Sequence, residues 1–266
     1  MTTVLVTGAN GRIGTELVPD LVARGVTVRA MVRRATGRSG EVVADLDDPA
    51  SLAAALAGVD AVFLNSPSSE RAAEQQIRCA DLAVAAGVRR LVVLSQLGAR
   101  ADSPVRFLRW HAEVEAHLAA SPLEVTVLRP NLFVQAVADA AHGGVLGAPI
   151  GDARVSVIDV RDIAAVAAVV LTGDGHAGAT YTLTGPAAVS HAELAAALGV
   201  EFADLDPDTF RGLLDGVLPA WQADGLVEDY AHYRRGEAGQ VDPAVPTLLG
   251  RPALGLDVLA RTALTR

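Results

Sequence analysis

V-L-V-T-G-A-N-G-R-I-G, residues 4–14, runs from β-branched and apolar residues into glycines at positions 8, 11 and 14, then continues as T-E-L-V-P-D-L-V-A-R. The first part reads as a buried strand and the last as an amphipathic helix. The G-x-x-G-x-x-G spacing therefore sits on a strand-to-helix turn. That is where glycines let a backbone turn tightly and approach a pyrophosphate, with the amides of the helix start turned toward the anion. The stretch predicts a dinucleotide-binding turn.

The same unit repeats outward from it. Short, nearly continuous apolar runs predict strands at Thr3–Thr7, Thr27–Val32, Val42–Ala44, Ala61–Asn65, Leu91–Ser95 and Val125–Leu128, as expected where both faces of a sheet are covered. Helical patterns fall at Ile13–Arg24, Ser51–Ala57, Glu70–Ala86 and Val105–Ala120, and Gly25, Gly58 and Gly87 mark three helix ends. This alternation predicts an α/β protein with a doubly wound parallel sheet, the Rossmann fold, built on right-handed crossovers. After Asn131 a glycine-rich stretch gives way to an expected strand at Val155–Val160, a helix at Asp162–Leu171 and a strand at Tyr181–Thr184. A capping box of Ser190 and Glu193 opens a helix running to Leu198, and the chain from Phe202 onward reads as helical. One domain over 1–266 is expected, with a dinucleotide-binding core at 1–135. Residues 136–266 would supply the remaining sheet elements and a small C-terminal substrate lobe packed over the carboxyl edge of the sheet.

Composition narrows the chemistry. The 266 residues are 51% hydrophobic but only 4% aromatic, with a net charge of −9. The acidic balance, with basic residues in pairs rather than blocks, argues against nucleic acid as a partner. The longest strongly apolar stretch, Ile163–Leu171, is too short to span a bilayer, and a cytoplasmic location is expected. The single cysteine, Cys79, lies in a helical pattern and reads as a small buried side chain. All 22 basic side chains are arginines. With no lysine anywhere, Walker-type phosphate binding, Schiff-base chemistry and lysine-assisted acid catalysis are excluded.

The second strand decides the dinucleotide. Where an NAD site carries an acid to hold the ribose hydroxyls, Arg33 and Arg34 stand instead, and Arg12 lies inside the glycine loop. These arginines predict NADP(H) over NAD, through charge-assisted bonds to a 2′-phosphate. Gly8, Asn10, Gly11, Arg12, Ile13 and Gly14 form the expected pyrophosphate turn. Asp45 and Leu46 follow the third strand, near the adenine, and Asn65, Ser66 and Pro67 follow the fourth. Ser95 and Gln96 end the fifth strand and Pro130 and Asn131 follow the sixth, as candidates for the nicotinamide end; Phe133 completes the cofactor set.

As a set, V-L-V-T-G-A-N-G-R-I-G at 4–14, V-V-A-D-L-D-D-P-A-S-L-A-A-A-L-A-G-V-D-A-V-F-L at 42–64, H-A-E-V-E-A-H-L-A-A-S-P-L-E-V-T-V-L-R-P-N-L-F at 111–133, V-I-D-V-R-D-I-A-A-V-A-A at 157–168 and Y-T-L-T-G-P-A-A-V-S-H-A-E-L-A-A-A-L-G at 181–199 resemble the NmrA-like group of atypical short-chain dehydrogenase/reductases. The resemblance covers most of the chain and fades after about Val200. It implies an NADP-binding core with a small variable C-terminal lobe, in a group holding both quinone- and isoflavone-type reductases and redox-sensing regulators. The wider superfamily works with a serine and a Y-x-x-x-K pair. The corresponding positions here are Ser95, Phe107 and His111, so the tyrosine hydroxyl and the lysine are both missing.

His111 is then the candidate acid, since imidazole titrates near neutral pH. It is equally read as a contact to the nicotinamide ribose or as a surface partner of Glu115 one turn on. Ser95 is the second candidate catalytic residue. Asp159 or Asp162 caps the following helix, His191 is expected to be exposed, and Trp221, Tyr230, His232 and Tyr233 either line a pocket for a flat ring or pack the C-terminal lobe. The function expected is an NADPH-dependent oxidoreductase passing hydride to a small quinone-like or conjugated carbonyl substrate. A non-catalytic NADP(H)-binding redox-sensing regulator is the alternative.

Overall fold

The chain enters the sheet at once. In the computed structural model, which describes residues 2–256, β1 (Thr3–Val6) leads into α1 (Gly14–Ala23), then β2 (Thr27–Val32), β3 (Glu41–Val43), α2 (Pro49–Leu56), β4 (Ala61–Leu64), α3 (Ala72–Ala85) and β5 (Arg90–Leu94). There follow α4 (Arg106–Ala119), β6 (Glu124–Pro130), α5 (Val134–Ala140), β7 (Val145–Ala148), β8 (Arg154–Val155), α6 (Val160–Thr172) and β9 (Thr180–Leu183). The last elements are β10 (Val189–Ser190), α7 (His191–Leu198), β11 (Glu201–Asp204), α8 (Pro207–Leu213), α9 (Ala220–Arg234) and α10 (Ala244–Leu249).

The main sheet has seven strands in the order β3-β2-β1-β4-β5-β6-β9. β1 lies parallel to both β2 and β4, so the strand order reverses beside β1. In open α/β sheets that reversal opens a crevice at the carboxyl ends of the strands, where ligands bind. The doubly wound fold read from the repeating pattern is the one observed. Alternate strand residues Leu5, Val62, Leu64, Leu91 and Val93 join Leu52, Leu56, Cys79, Ala83, Val114 and Leu118 of α2, α3 and α4 in one core. Their neighbours Val4, Val6, Phe63 and Val92 point to the opposite face and are as fully buried, so both faces are covered. Cys79 lies within that core, and burial pushes its thiol up to about 12, which makes it packing rather than a nucleophile.

The chain forms two compact units whose segments alternate in sequence. The first comprises 1–95, 110–129 and 163–181, and the second 96–109, 130–162 and 182–266. Three local readings change in the second unit. The expected strand at Val155–Val160 shrinks to Arg154–Val155, which pairs antiparallel with β10, and α6 already begins at Val160. The glycine-rich stretch contains β7, and the region after Phe202 opens as strand rather than helix, since β11 pairs parallel with β7. Two four-residue strands more than fifty positions apart carry no local periodicity, and only their pairing makes them strands. The capping box is present: Ser190 accepts from Glu193 N–H at 3.2 Å, and the Glu193 carboxylate accepts from Ser190 N–H at 2.7 Å. Among the described residues no helix is long and apolar enough to cross a membrane.

Candidate cofactor and active site

The glycine loop is built from the end of β1. Thr7 is fully buried; its hydroxyl donates to Asn65 O at 2.7 Å and accepts from Asn65 N–H at 2.8 Å, tying the loop to the end of β4. Gly8 adopts φ +64, in the left-handed region, and its carbonyl accepts from Gly11 N–H at 2.9 Å. A Cβ on Gly14 would lie 2.4 Å from Gly8 O and 2.6 Å from Ala9 Cα, so only glycine lets the helix close onto the loop. Asn10, Gly11 and Arg12 form an exposed crest, while Ile13 is a core residue at 2% exposure. No side chain caps α1, as is also true of α3, α5, α9 and α10, whereas Asp48, Ser190 and Asp206 cap α2, α7 and α8. The amides of Thr15, Glu16 and Leu17 already donate to Gly11 O and Ile13 O, so it is the turn ahead of α1, closed so tightly that a Cβ would fill it, that fits a dinucleotide diphosphate.

Arg33 and Arg34 follow β2, both exposed, and neither makes an ion pair among the described residues. Farther along, the candidates separate. Asp45 is a turn residue whose carboxylate accepts from Asp47 N–H at 3.0 Å. Leu46 is 6% exposed within the core against α2 and α3, and its carbonyl accepts from Arg78 at 3.0 Å, so its side chain is not free for an adenine. Ser66 Oγ accepts from Gln76 at 2.8 Å, and Pro67 is exposed.

Ser95 is 5% exposed and donates to Glu115 Oε1 at 2.5 Å. Glu115 is held in turn by Arg129, whose Nε donates to Oε1 at 2.9 Å and whose Nη2 pairs with Oε2. Sequence reading missed this triad, because it weighed Glu115 only as one of three alternatives for His111 and gave Arg129 no role. Burial lowers His111 to about 4, against the opposing charge of Glu115. That shift favours the neutral ring over the imidazolium near pH 7.

In the second unit, Gln96 donates through Nε2 to Asp229 Oδ1 and Oδ2 at 3.1 and 3.2 Å. Burial pushes Asp229 up to about 7, with the charge of Glu228 adding to it and hydrogen bonds from Gln96 and Tyr233 opposing. Pro130 is buried, and Asn131 is consumed internally, donating to Ser156 Oγ at 2.8 Å and Ala238 O at 2.9 Å and accepting from Leu132 N–H. Asn131 is thus a brace for its own unit, not a free amide for the nicotinamide. Phe133 precedes α5 and bridges to Ile158.

Phe107 packs against α9. Its Cζ lies 2.2 Å from where a Cβ on Gly225 would stand, and its ring meets Trp221 edge-on at 6.3 Å. The para position therefore points at the backbone of α9, and Arg106 locks the contact by donating to Glu228 at 2.7–3.1 Å and to Trp221 O at 3.1 Å. A glycine inside a helix costs about 1 kcal/mol relative to alanine, a sequence signal that something presses on position 225. Phe107→Tyr is expected to destabilise by about 1–3 kcal/mol through overpacking and to give no gain in turnover. A tyrosine variant that melts like the parent and turns over faster would show the para position to be open.

The remaining aromatic residues pack rather than line a ring pocket. Tyr230 meets Phe210 at 5.0 Å and Tyr233 at 5.7 Å, and both tyrosines are buried. His191, expected on the surface, is fully buried against Phe202 and Tyr230, and burial lowers it to about 4. Asp159 caps α6 through Arg161 N–H at 2.8 Å, whereas Asp162 pins the C-terminal segment through Arg251 at 2.8 Å and Leu254 N–H at 2.6 Å.

With this geometry in place, comparison with known proteins is direct. Residues 8–174 match the NAD(P)H-binding family model. The chain belongs to the NAD(P)H-binding family. Over 94% of its length, and 94% of theirs, it is 35% identical to the NAD(P)H azoreductase of Xenophilus azovorans and 36% identical to the (4-alkanoyl-5-oxo-2,5-dihydrofuran-3-yl)methyl phosphate reductase of Streptomyces griseus. Its fold is similar to the NADPH-dependent quinone oxidoreductase of Escherichia coli complexed with NADPH, at TM-score 0.86 and 29% identity, covering 99% of this chain and 100% of that one. Its structural neighbours include the NmrA-like group, as the resemblance implied. The protein is a reductase of this family that uses a nicotinamide dinucleotide.

Proposed function

We propose that the protein passes hydride from NADPH to a small quinone-like or conjugated carbonyl acceptor without a tyrosine–lysine pair. The observation that carries this reading is the state of the three expected catalytic positions. Phe107 has no hydroxyl and presses on α9, Ser95 donates to Glu115, and burial favours the neutral ring of His111. Reduction of a simple ketone develops an alkoxide that demands a positioned acid. A quinone spreads the same charge over its ring, and an azo bond conjugated to aromatic rings does likewise, so such acceptors need little acid assistance. The names of the azoreductase and quinone oxidoreductase relatives support this class.

The bound dinucleotide supplies the hydride. The chain's own residues hold its diphosphate at the turn ahead of α1 and its 2′-phosphate at Arg33 and Arg34, each worth about 1.5–3 kcal/mol as a charge-assisted bond. His111, as a neutral ring, donates one N–H and orients the nicotinamide ribose or the acceptor, while the proton comes from solvent.

NADPH oxidation measured against quinones, azo dyes, enones and aldehydes tests the acceptor class. Turnover is expected with the first two and at least about tenfold less with simple aldehydes. Tight NADPH binding with no turnover on any acceptor would favour a redox-sensing regulator instead. Arg33→Asp is expected to raise KM for NADPH at least about tenfold and shift preference toward NADH; an unchanged ratio would remove the 2′-phosphate assignment. His111→Ala is expected to leave the shape of the pH profile between 6 and 8 unchanged.

A further inference from the structure

The eight residues between β2 and β3, 33–40, are all exposed, and they carry Arg33, Arg34 and Arg38 with no acidic side chain among them. Such a loop would ordinarily sample many shapes, and ordering it on a ligand would subtract from affinity. Here its far half is tied down by one side chain. Glu41, the first residue of β3, accepts from Thr36 N–H at 2.7 Å and Gly37 N–H at 3.0 Å through Oε2, and from the Thr36 hydroxyl at 2.5 Å through Oε1. The loop closes on Gly40, at φ +81, whose carbonyl accepts from Ala30 N–H of β2 at 2.8 Å and where a Cβ would lie 2.8 Å from Val28 O. Those bonds, the Thr36 hydroxyl first, hold the Glu41 carboxyl below its ordinary range. Its charge is thus absorbed by neutral donors, and no ion pair joins it to the arginines among the described residues.

We propose that Glu41 is a positioning residue for NADPH selectivity, fixing the arginine loop in the shape that receives a ribose 2′-phosphate. The proposal rests on the NADPH reading above and goes beyond it by assigning selectivity to a residue that carries the wrong charge to touch the phosphate. That sign makes it testable. Removing a negative charge near a phosphate site would, by electrostatics alone, tighten NADPH binding. Removing the clamp would weaken it, because two loop amides and a hydroxyl lose their acceptor.

The experiment compares Glu41→Gln, Thr36→Val, Arg33→Ala and Arg34→Ala with the parent chain, titrating NADPH and NADH separately and measuring kcat and KM with a quinone acceptor. Expected is a Kd for NADPH about five- to twentyfold weaker in Glu41→Gln, a smaller loss in Thr36→Val, and a Kd for NADH within about twofold in both. KM for NADPH should rise while kcat at saturation holds, a split that general destabilisation would not produce, and the NADH titration reports that the variant is folded. NADPH binding that is unchanged or tighter in Glu41→Gln, while the arginine variants weaken it, would overturn the clamp and leave the NADPH reading standing. Unchanged NADPH binding in the arginine variants would overturn both.

Discussion

Gly14→Ala is expected to weaken NADPH binding by about a hundredfold or more and to lower stability by about 2–4 kcal/mol. The reason is space rather than backbone angle, since Gly14 is not among the positive-φ glycines. Its Cβ would fall 2.4 Å from Gly8 O and 2.6 Å from Ala9 Cα and O, all backbone atoms with no side-chain freedom to yield. The start of α1 must move away from the loop, opening the turn proposed to hold the diphosphate. Gly11→Ala is the matched control: its Cβ would approach only Gly8 O, at 3.1 Å, from an exposed position. A fluorescence titration and a thermal melt of both variants check this. Parent-like NADPH affinity in Gly14→Ala would show that the turn is not the diphosphate site.

The triad of Ser95, Glu115 and Arg129 carries the second large effect. Arg129→Ala leaves the Glu115 carboxylate, whose side chain is 13% exposed, with a serine hydroxyl in place of its guanidinium. Uncovering a buried charge in this way is expected to cost about 2–4 kcal/mol. Ser95→Ala removes one hydrogen bond and is expected to cost about 1 kcal/mol, with kcat within about threefold of the parent, because its proton is already committed to Glu115. Urea unfolding and steady-state kinetics on the two single variants and the double variant separate the contributions. A loss of kcat above tenfold in Ser95→Ala, with stability untouched, would return Ser95 to a direct catalytic role.

The dinucleotide turn was legible because every element of it is local. A strand, three glycines at fixed spacing and a helix lie within the consecutive residues 3–23, and the geometric demand at Gly8 and Gly14 falls on the glycines themselves. Arg33 and Arg34 were legible for the same reason, since the end of the second strand follows directly from the repeat. Ser95 and Asn131 were placed correctly at strand ends but given outward roles, whereas both spend their polar atoms inward. The partners that occupy them, Glu115 and Arg129 for one and Ser156 and Ala238 for the other, lie 20 to 107 positions away. His111 fell the same way: residue type says near-neutral titration, and only burial moves it to about 4.

Sequence alone therefore determined the α/β repeat, the nicotinamide dinucleotide and the absence of lysine, because periodicity, short-range spacing and residue chemistry are properties of the chain itself. Tertiary structure decided that Phe107 presses on Gly225, that Ser95 is committed to Glu115, that burial lowers His111 and that Glu41 shapes the arginine loop. Each of these depends on who lies opposite in space and how much water is excluded. Neither quantity is encoded at any single position.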